Sequence, residues 1–265
     1  MDSLSFQFLG QSGILLYSGS AIVAIDPYLS NSVCERFGRE FDRQVPAPLL
    51  PGNFDAVRWI CLTHAHLDHT DPATLVPMAV AAPQAVFLAP PEAAEILVSS
   101  GISESRIRLA DEHWTFLAPE LAVRAVPAAH LDIERDANGR LRYCGYLFRI
   151  GTALVYHAGD TMPHADIVSA LLTEGELEIA FLPCNERNVY RERAGIIGNM
   201  SVREMLAFAS ELRAKRVAAL HWDMFAPNSA TPEEIMAVVK HEKPSLTLLV
   251  PRCGAKYDFE LKEIA

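Results

Sequence analysis

The apolar positions of this chain fall mostly in short runs bounded by turn residues, the pattern of buried strands rather than of long amphipathic helices. Residues 5–9, 14–17 and 21–26 form three such runs around tight turns at Gly10–Gly13 and Ser18–Ser20, a predicted β-meander. Residues 30–56, with Pro46, Pro48, Pro51 and Gly52, read as a loop with little regular structure. Residues 57–63 are a buried-strand pattern, and Asp71 followed by Pro72 marks a helix start. A strand at 85–89 and a helix at 91–100 follow, then strand-like runs at 106–109, 114–117 and 121–127. Asp136, Asn138 and Gly139 predict a hairpin turn before a strand at 143–150. Further buried strands are expected at 153–158 and 178–184. Ser201 with Glu204 and Thr231 with Glu234 are capping boxes opening two helices. A strand at 216–220 lies between those helices, and a last one is expected at 246–250. About a dozen strands with helices in both halves predict an α/β fold in which two sheets pack face to face with helices outside. No Gly/Ser-rich linker divides the chain, so residues 1–265 are read as a single domain.

Composition narrows the function without naming it. A chain of 265 residues that is 50% hydrophobic and 21% charged can bury a substantial core. The formal net charge of −10 argues against a general nucleic-acid binder, because phosphate backbones need basic surface. It leaves room for a small anionic substrate held by a local arginine cluster. The five cysteines form no CxxC pair and are odd in number, which favours a reducing compartment over a disulfide framework. Cys61 and Cys184 sit in apolar runs and read as core residues. The N-terminus has no basic leader pattern and no run is long enough for a membrane span, so a cytoplasmic location is expected.

The chemistry concentrates where the strand at 57–63 ends. His64, His66, Asp68 and His69 place four metal-ligand side chains within six residues. A cluster of ordinary surface histidines is the bland alternative, and the buried strand aimed into the motif disfavours it. His130, Asp160 and His221 each stand where another apolar run ends, the place where a sheet-based site collects its groups. Together they suggest two divalent ions: His64, His66 and His130 on the first, Asp68, His69 and His221 on the second, Asp160 bridging. The donors are nitrogen and oxygen only, which suits Zn²⁺, Mn²⁺ or Fe, each with a position left for water. Two ions sharing a water would hold hydroxide at neutral pH. His157 and His164 flank Asp160 in sequence and are candidates to orient substrate or ligands. His113 and His241 lie outside the constellation and are read as structural.

The order His64-x-His66-x-Asp68-His69, then His130, Asp160 and His221, resembles the metallo-β-lactamase fold superfamily. That resemblance implies an αββα sandwich with a dinuclear site at one edge of the sheets. Residues 8–13, 25–30, 63–69, 157–161, 195–200 and 221–225 are similar to the L-ascorbate-6-phosphate lactonase group. This narrower likeness implies a bacterial cytoplasmic enzyme opening a sugar-phosphate lactone with Mn²⁺, and a homo-oligomer. One stretch departs: the group's Asn-Gly-Arg-Asp is here Asn185-Glu186-Arg187-Asn188. The residues beside it are informative on their own. Arg187, Arg191 and Arg193 follow a strand end in an otherwise acidic chain, with Asn185 and Tyr190 among them. Arginine binds phosphate or carboxylate bidentately, so an anion clamp is expected here; the bland reading is a solvated loop paired with Glu186 and Glu192.

The leading expectation is therefore hydrolysis of a lactone or related ester of a small anionic substrate. Bridging hydroxide would attack the carbonyl, Asp68 or Asp160 would accept the proton, and Arg187 with Arg191 or Arg193 would hold the anionic end. A small or lipid-like phosphodiester is the alternative for the same site. A polynucleotide is disfavoured by the charge and by the 61-residue gap between Asp160 and His221, which leaves no room for an inserted domain. A redox or purely structural metal site is disfavoured as well, the latter because structural sites close their coordination.

Overall fold

The apolar runs pair into two mixed sheets, and the hand-over from antiparallel to parallel pairing decides where the helices go. The computed structural model describes residues 4–260 and 262–264. Residues 1–3, part of the N-terminus read for a leader, lie outside the described residues. The first sheet is built from β1 (Ser5–Gly10), β2 (Gly13–Ser18), β3 (Ala21–Ile25), β4 (Trp59–Cys61), β5 (Val86–Ala89) and β6 (Ile107–Leu109) in spatial sequence. The second holds β7 (Thr115–Ala118), β8 (Leu121–Pro127), β9 (Cys144–Ile150), β10 (Ala153–His157), β11 (Ile179–Pro183), β12 (Arg216–Leu220) and β13 (Thr247–Leu249), again in spatial sequence. β14 (Lys256–Asp258) and β15 (Glu263–Ile264) return to extend the first sheet beyond β1.

β1 to β3 and β7 to β10 are antiparallel, joined by short turns except between β8 and β9, whereas β3 to β6 and β10 to β13 are parallel. Parallel neighbours require crossovers, and most of these are helices. Ser32–Phe37 is a short helix, α1, in the β3–β4 connection. α2 (Pro72–Ala81) and α3 (Pro91–Ser99) serve the first sheet. α4 (Ala165–Leu172), α5 (Val189–Arg193), α6 (Val202–Glu211) and α7 (Pro232–Glu242) belong to the second. The outer faces are thereby covered: Ile60 and Phe87 pack with Leu75, Met78 and Leu97, and Leu182 and Ala180 with Ile167, Met205 and Phe208. Between the sheets Phe6, Phe8, Ile14 and Leu16 meet Tyr146, Phe148, Val155 and Phe181, with Phe6 edge-on to Phe181 at 4.8 Å. β11 is buried at every position because it is covered on both faces, which is why it reads as a continuous apolar run. The α/β sandwich expected from the layers is the fold found. All five cysteines are free thiols, and among the described residues no helix is long and apolar enough to cross a membrane.

Four local expectations are corrected. Residues 30–56 are not devoid of regular structure: they carry α1 and 3₁₀ turns at Arg39–Phe41 and Pro51–Phe54. The strand near 246–250 is not the last, since β14 and β15 follow. The turn at 136–139 closes its own small loop, with Gly139 N donating to Asp136 O at 3.0 Å and Arg135 bridged to Leu141. That loop is the tip of an excursion spanning residues 128–143, which carries His130 out of β8 before the chain re-enters as β9. Finally, α4 and α5 had no sequence counterpart; α5 is a single short turn capped by the Asn188 side chain on the N–H groups of Tyr190 and Arg191.

Strand polarity gathers the site. β8 and β10 both run antiparallel to β9, and β10, β11 and β12 are parallel, so β8, β10 and β12 end at the same edge. His130, Asp160 and His221 all lie just beyond those ends.

Candidate metal centre

The loop after β4 delivers the first four side chains. Residues 62–71 are not yet helix: the N–H groups of His69 and Thr70 both donate to His66 O, at 3.0 and 2.7 Å, turning the chain on itself. Asp71 then caps α2 by accepting from Ala73 N. The turn faces His64, His66, Asp68 and His69 toward the edge where the second sheet presents His130, Asp160 and His221. His64 Nε2 lies 3.0 Å from His66 Nδ1, and donor atoms of His64, His66 and His130 fall within 4.8 Å of one another. Asp68, His69 and His221 form a second such triad. Asp160 stands between them: Oδ1 is 3.3 Å from His69 Nε2, while Oδ2 is 3.4 Å from His221 Nε2 and 3.9 Å from His130 Nε2.

These spacings fit cations better than they fit hydrogen bonds. His69 Nε2 and Asp160 Oδ1 are close, yet neither has a properly directed hydrogen-bond partner, and His221 Nδ1 is likewise buried and unpaired. Donors bound at about 2.0–2.2 Å around one tetrahedral ion stand about 3.4 Å apart, which is the separation seen here. Burial leaves little else to satisfy them, since His64, His69, His130, Asp160 and His221 are all buried. Burial pushes His64 well below the usual imidazole range, and the neighbouring imidazoles His69 and His66 add to it. Burial also takes His130 down to about 4, and His66 is lowered as well by the desolvating side chains around its ring. These three are therefore neutral near pH 7 with a lone pair to donate, the form that binds metal. His69 and His221 go the other way. Burial opposes their charge, but the Asp160 and Asp68 carboxylates outweigh it and raise both. The cluster calls for positive charge at this point.

Residues with no role assigned from sequence hold the set in place. Asp26, at the end of β3 and fully buried, accepts from Thr63 N at 2.8 Å and Thr63 Oγ1 at 2.6 Å, and its Oδ2 lies 2.7 Å from His69 Nδ1. It fixes the ring so that Nε2 faces the centre, the usual task of a carboxylate behind a ligating histidine. Gln11, in the β1–β2 turn, donates from Nε2 to Asp68 Oδ2 at 2.6 Å and lies 2.9 Å from His221 Nε2. Its carbonyl accepts from His221 N at 2.7 Å. Gln11, Asp26 and His221 have φ of +56°, +42° and +57°, half of the six non-glycine residues with positive φ among those described. Such backbone is costly and persists where surrounding contacts enforce it. Asp26 could have been found by the same signal as Asp160, a lone acid where an apolar strand ends.

Gly159 has an equally local reason. Its φ is +62°, and a Cβ there would lie 2.8 Å from Thr63 Cβ and 2.9 Å from Cys144 O. Gly159→Ala should cost about 1–3 kcal/mol in urea unfolding and weaken metal binding together, because relief of the clash moves Asp160.

The candidate substrate residues fare differently. A cavity of about 250 Å³ opens over the cluster, with His66, Asp68, His130, Asp160 and His221 at its floor. None of Asn185, Arg187, Tyr190, Arg191 or Arg193 lines it. Arg191 donates to three backbone carbonyls, of Glu186, Pro227 and Ser229, at 2.6, 3.1 and 2.6 Å. Its guanidinium ties the α5 loop to the turn at 226–229. Arg187 pairs with Glu192 at 2.5 Å, the solvated alternative weighed above. Arg193 and Tyr190 are exposed outside the lining. Asn185 is buried, donating to Asn228 Oδ1 at 3.0 Å, so it reaches the cavity only through Asn228. His157 is also fully buried: its Nε2 lies 2.8 Å from Ser12 O and its Nδ1 accepts from Gly159 N, so it supports the loop instead of meeting substrate. His164 caps α4 by accepting from Asp166 N and lies off the cavity. What does line the walls comes from the loops at 30–56 and 195–197 and from Phe225.

The geometry agrees with known proteins. A family model described as a beta-lactamase superfamily domain matches residues 22–222. The chain is similar to a UPF0173 metal-dependent hydrolase of Pyrococcus furiosus, 26% identical over 248 residues, 92% of this chain and 95% of that one. Among solved structures, an isothiocyanate hydrolase from Delia radicum gut bacteria superposes with a TM-score of 0.76 at 21% identity, covering 96% of this chain and 99% of that one. A metallo hydrolase of the archaeon Ignicoccus hospitalis gives a TM-score of 0.69 at 22% identity, covering 98% and 100%. At these identities the two structures speak for the fold.

Proposed function

The chain belongs to the beta-lactamase superfamily, and on that premise we propose that this metal-dependent hydrolase cleaves a carboxylic ester or lactone at a dinuclear site. The observation that carries the reading is the pair of donor triads with Asp160 between them, open to a cavity on one side. His64, His66 and His130 would hold one divalent ion and Asp68, His69 and His221 the other, with Asp160 shared. Zn²⁺ or Mn²⁺ in these places would supply Lewis acidity and lower the pKa of water enough for a nucleophile at neutral pH.

The chain's own groups do the rest. Asp68 is the acid of the cluster with some solvent contact, its side chain 18% exposed. Burial alone would raise its pKa, yet His69 and His221 hold it well below the usual range, so it stays ionised. Gln11 donates to Oδ2 of Asp68, and the Asp68 side chain lines the cavity. Asp68 is thus the proposed carrier of the proton from the attacking water to the leaving alkoxide. Buried Asp160 is the proposed anchor of both triads. The sugar-phosphate feature, implied by the narrower resemblance, is not carried forward, because Arg191 binds backbone carbonyls and Arg187 pairs with Glu192.

A panel run on chelator-stripped and Mn²⁺- or Zn²⁺-reloaded protein tests the reading. It comprises nitrophenyl esters, γ-lactones, L-ascorbate 6-phosphate, bis-nitrophenyl phosphate and an isothiocyanate, the compound class named for one structural neighbour. Metal-dependent turnover of an ester or lactone above the phosphodiester is expected. Turnover of the phosphodiester alone would overturn the choice of bond.

A further inference from the structure

The cavity over the metal cluster is walled by apolar side chains from three separate loops. Val33, Phe37 and Phe41 come from the β3–β4 connection, Ile196 and Ile197 from the loop after α5, and Phe225 from the turn after β12. The wall is a packed unit. Phe37 contacts Phe41 with ring centroids 6.3 Å apart, Phe41 contacts Phe225 at 6.0 Å, and Phe225 leans on the buried ring of Tyr28 at 5.9 Å. Phe37 and Ile197 stand at the mouth, 56% and 40% exposed. No lysine or arginine is among the lining residues. Arg36 lies beside Phe37, its guanidinium 5.6 Å from that ring centre, and lines a neighbouring groove instead. Below this wall the polar side chains of the lining are those of the metal cluster, together with Asn228.

Resting on the hydrolase reading above, we propose that this cavity selects a neutral substrate with an apolar body, its electrophilic carbon at the floor and its aliphatic or aryl part against Phe37, Phe41, Ile196, Ile197 and Phe225. A substrate anion placed among these side chains would lose its hydration with no cation in the wall to replace it. Apolar atoms there gain instead: each methylene removed from water improves transition-state binding about fourfold. An apolar cavity of about 150 Å³ admits benzene, so the volume of about 250 Å³ takes one ring with a short linker or a medium alkyl chain. Phe37 and Ile197 are the specificity-determining residues, because they sit on opposite loops at the mouth.

The test uses metal-replete protein and two readouts. The first is kcat/KM for nitrophenyl acetate, butyrate and hexanoate, with nitrophenyl hydrogen glutarate as the carboxylate-ended counterpart. The second is calorimetric binding of acetamide, butyramide and hexanamide, which needs no turnover. A rise of about fourfold per methylene in either readout is expected, with the glutarate at least tenfold below the hexanoate. Phe37→Ser and Ile197→Ser, both at exposed positions, should flatten the rise while melting temperature and metal content stay at wild-type values. If esters turn over with no dependence on chain length, or the glutarate is preferred, the inference fails and the hydrolase reading stands. If hexanamide binds best but no ester turns over, the inference stands and the ester reading fails. If there is neither turnover nor graded amide binding, the inference is overturned.

Discussion

In Asp68→Ala, kcat for a metal-dependent ester falls by about 10²–10⁴-fold while KM changes little. Asp68 is asked to do two things, to complete the triad with His69 and His221 and to move a proton. Six other side chains of the cluster remain in the variant, so excess metal should refill the site. The loss that persists with metal content restored, read by elemental analysis on the same sample, is the proton-transfer share. Asp68→Asn keeps the contact volume and should show the same kcat loss, because an amide cannot accept the proton. Near-normal turnover with metal fully bound would remove Asp68 from the mechanism.

Asp26→Ala is expected to be the most damaging substitution away from the cavity. Three hydrogen-bonding groups lose a fully buried partner at once: Thr63 N, Thr63 Oγ1 and His69 Nδ1. Leaving buried donors unsatisfied, next to a carboxylate cluster whose charge balance also changes, costs about 3–5 kcal/mol. Metal affinity should fall about 10–100-fold, since His69 is no longer held with Nε2 toward the centre. Denaturant unfolding of the metal-free protein gives the first figure and competition with a chelating dye the second. Asp26→Asn keeps an acceptor for Thr63 and should recover part of the stability but less of the affinity. An affinity loss without a stability loss would mean that the Thr63 contacts are dispensable; neither loss would mean that Asp26 does not position His69.

The site was legible where it depends on strand ends. His130, Asp160 and His221 each follow an apolar run, and strand polarity then brings them to one edge without further information. Asp26 follows such a run too, at the end of β3, but its partners Thr63 and His69 are far along the chain and supply the role. Gln11 carries no signal of its own; it matters because the β1–β2 turn leans on Asp68 and His221. The surroundings of the arginine cluster are hidden from the sequence for a related reason. Whether a guanidinium faces a ligand or a carbonyl is settled by what packs beside it, and Pro227 and Ser229, which occupy Arg191, are not suggested by local sequence. In the fold, the buried parallel strands read clearly as apolar runs, whereas the short β14 and β15 lack the length for a period to appear. In the loop at 30–56 the prolines dominate the local pattern and hide the wall-forming Val33, Phe37 and Phe41.

The most direct test is a metal titration of chelator-stripped protein with Zn²⁺ or Mn²⁺, following hydrolysis of a neutral ester at each addition. The account predicts no turnover at zero metal and a rise that levels at two ions per chain, abolished together with binding in Asp160→Ala. Full turnover in the stripped protein, or saturation of binding in Asp160→Ala indistinguishable from wild type, would contradict a dinuclear hydrolytic centre built on these residues.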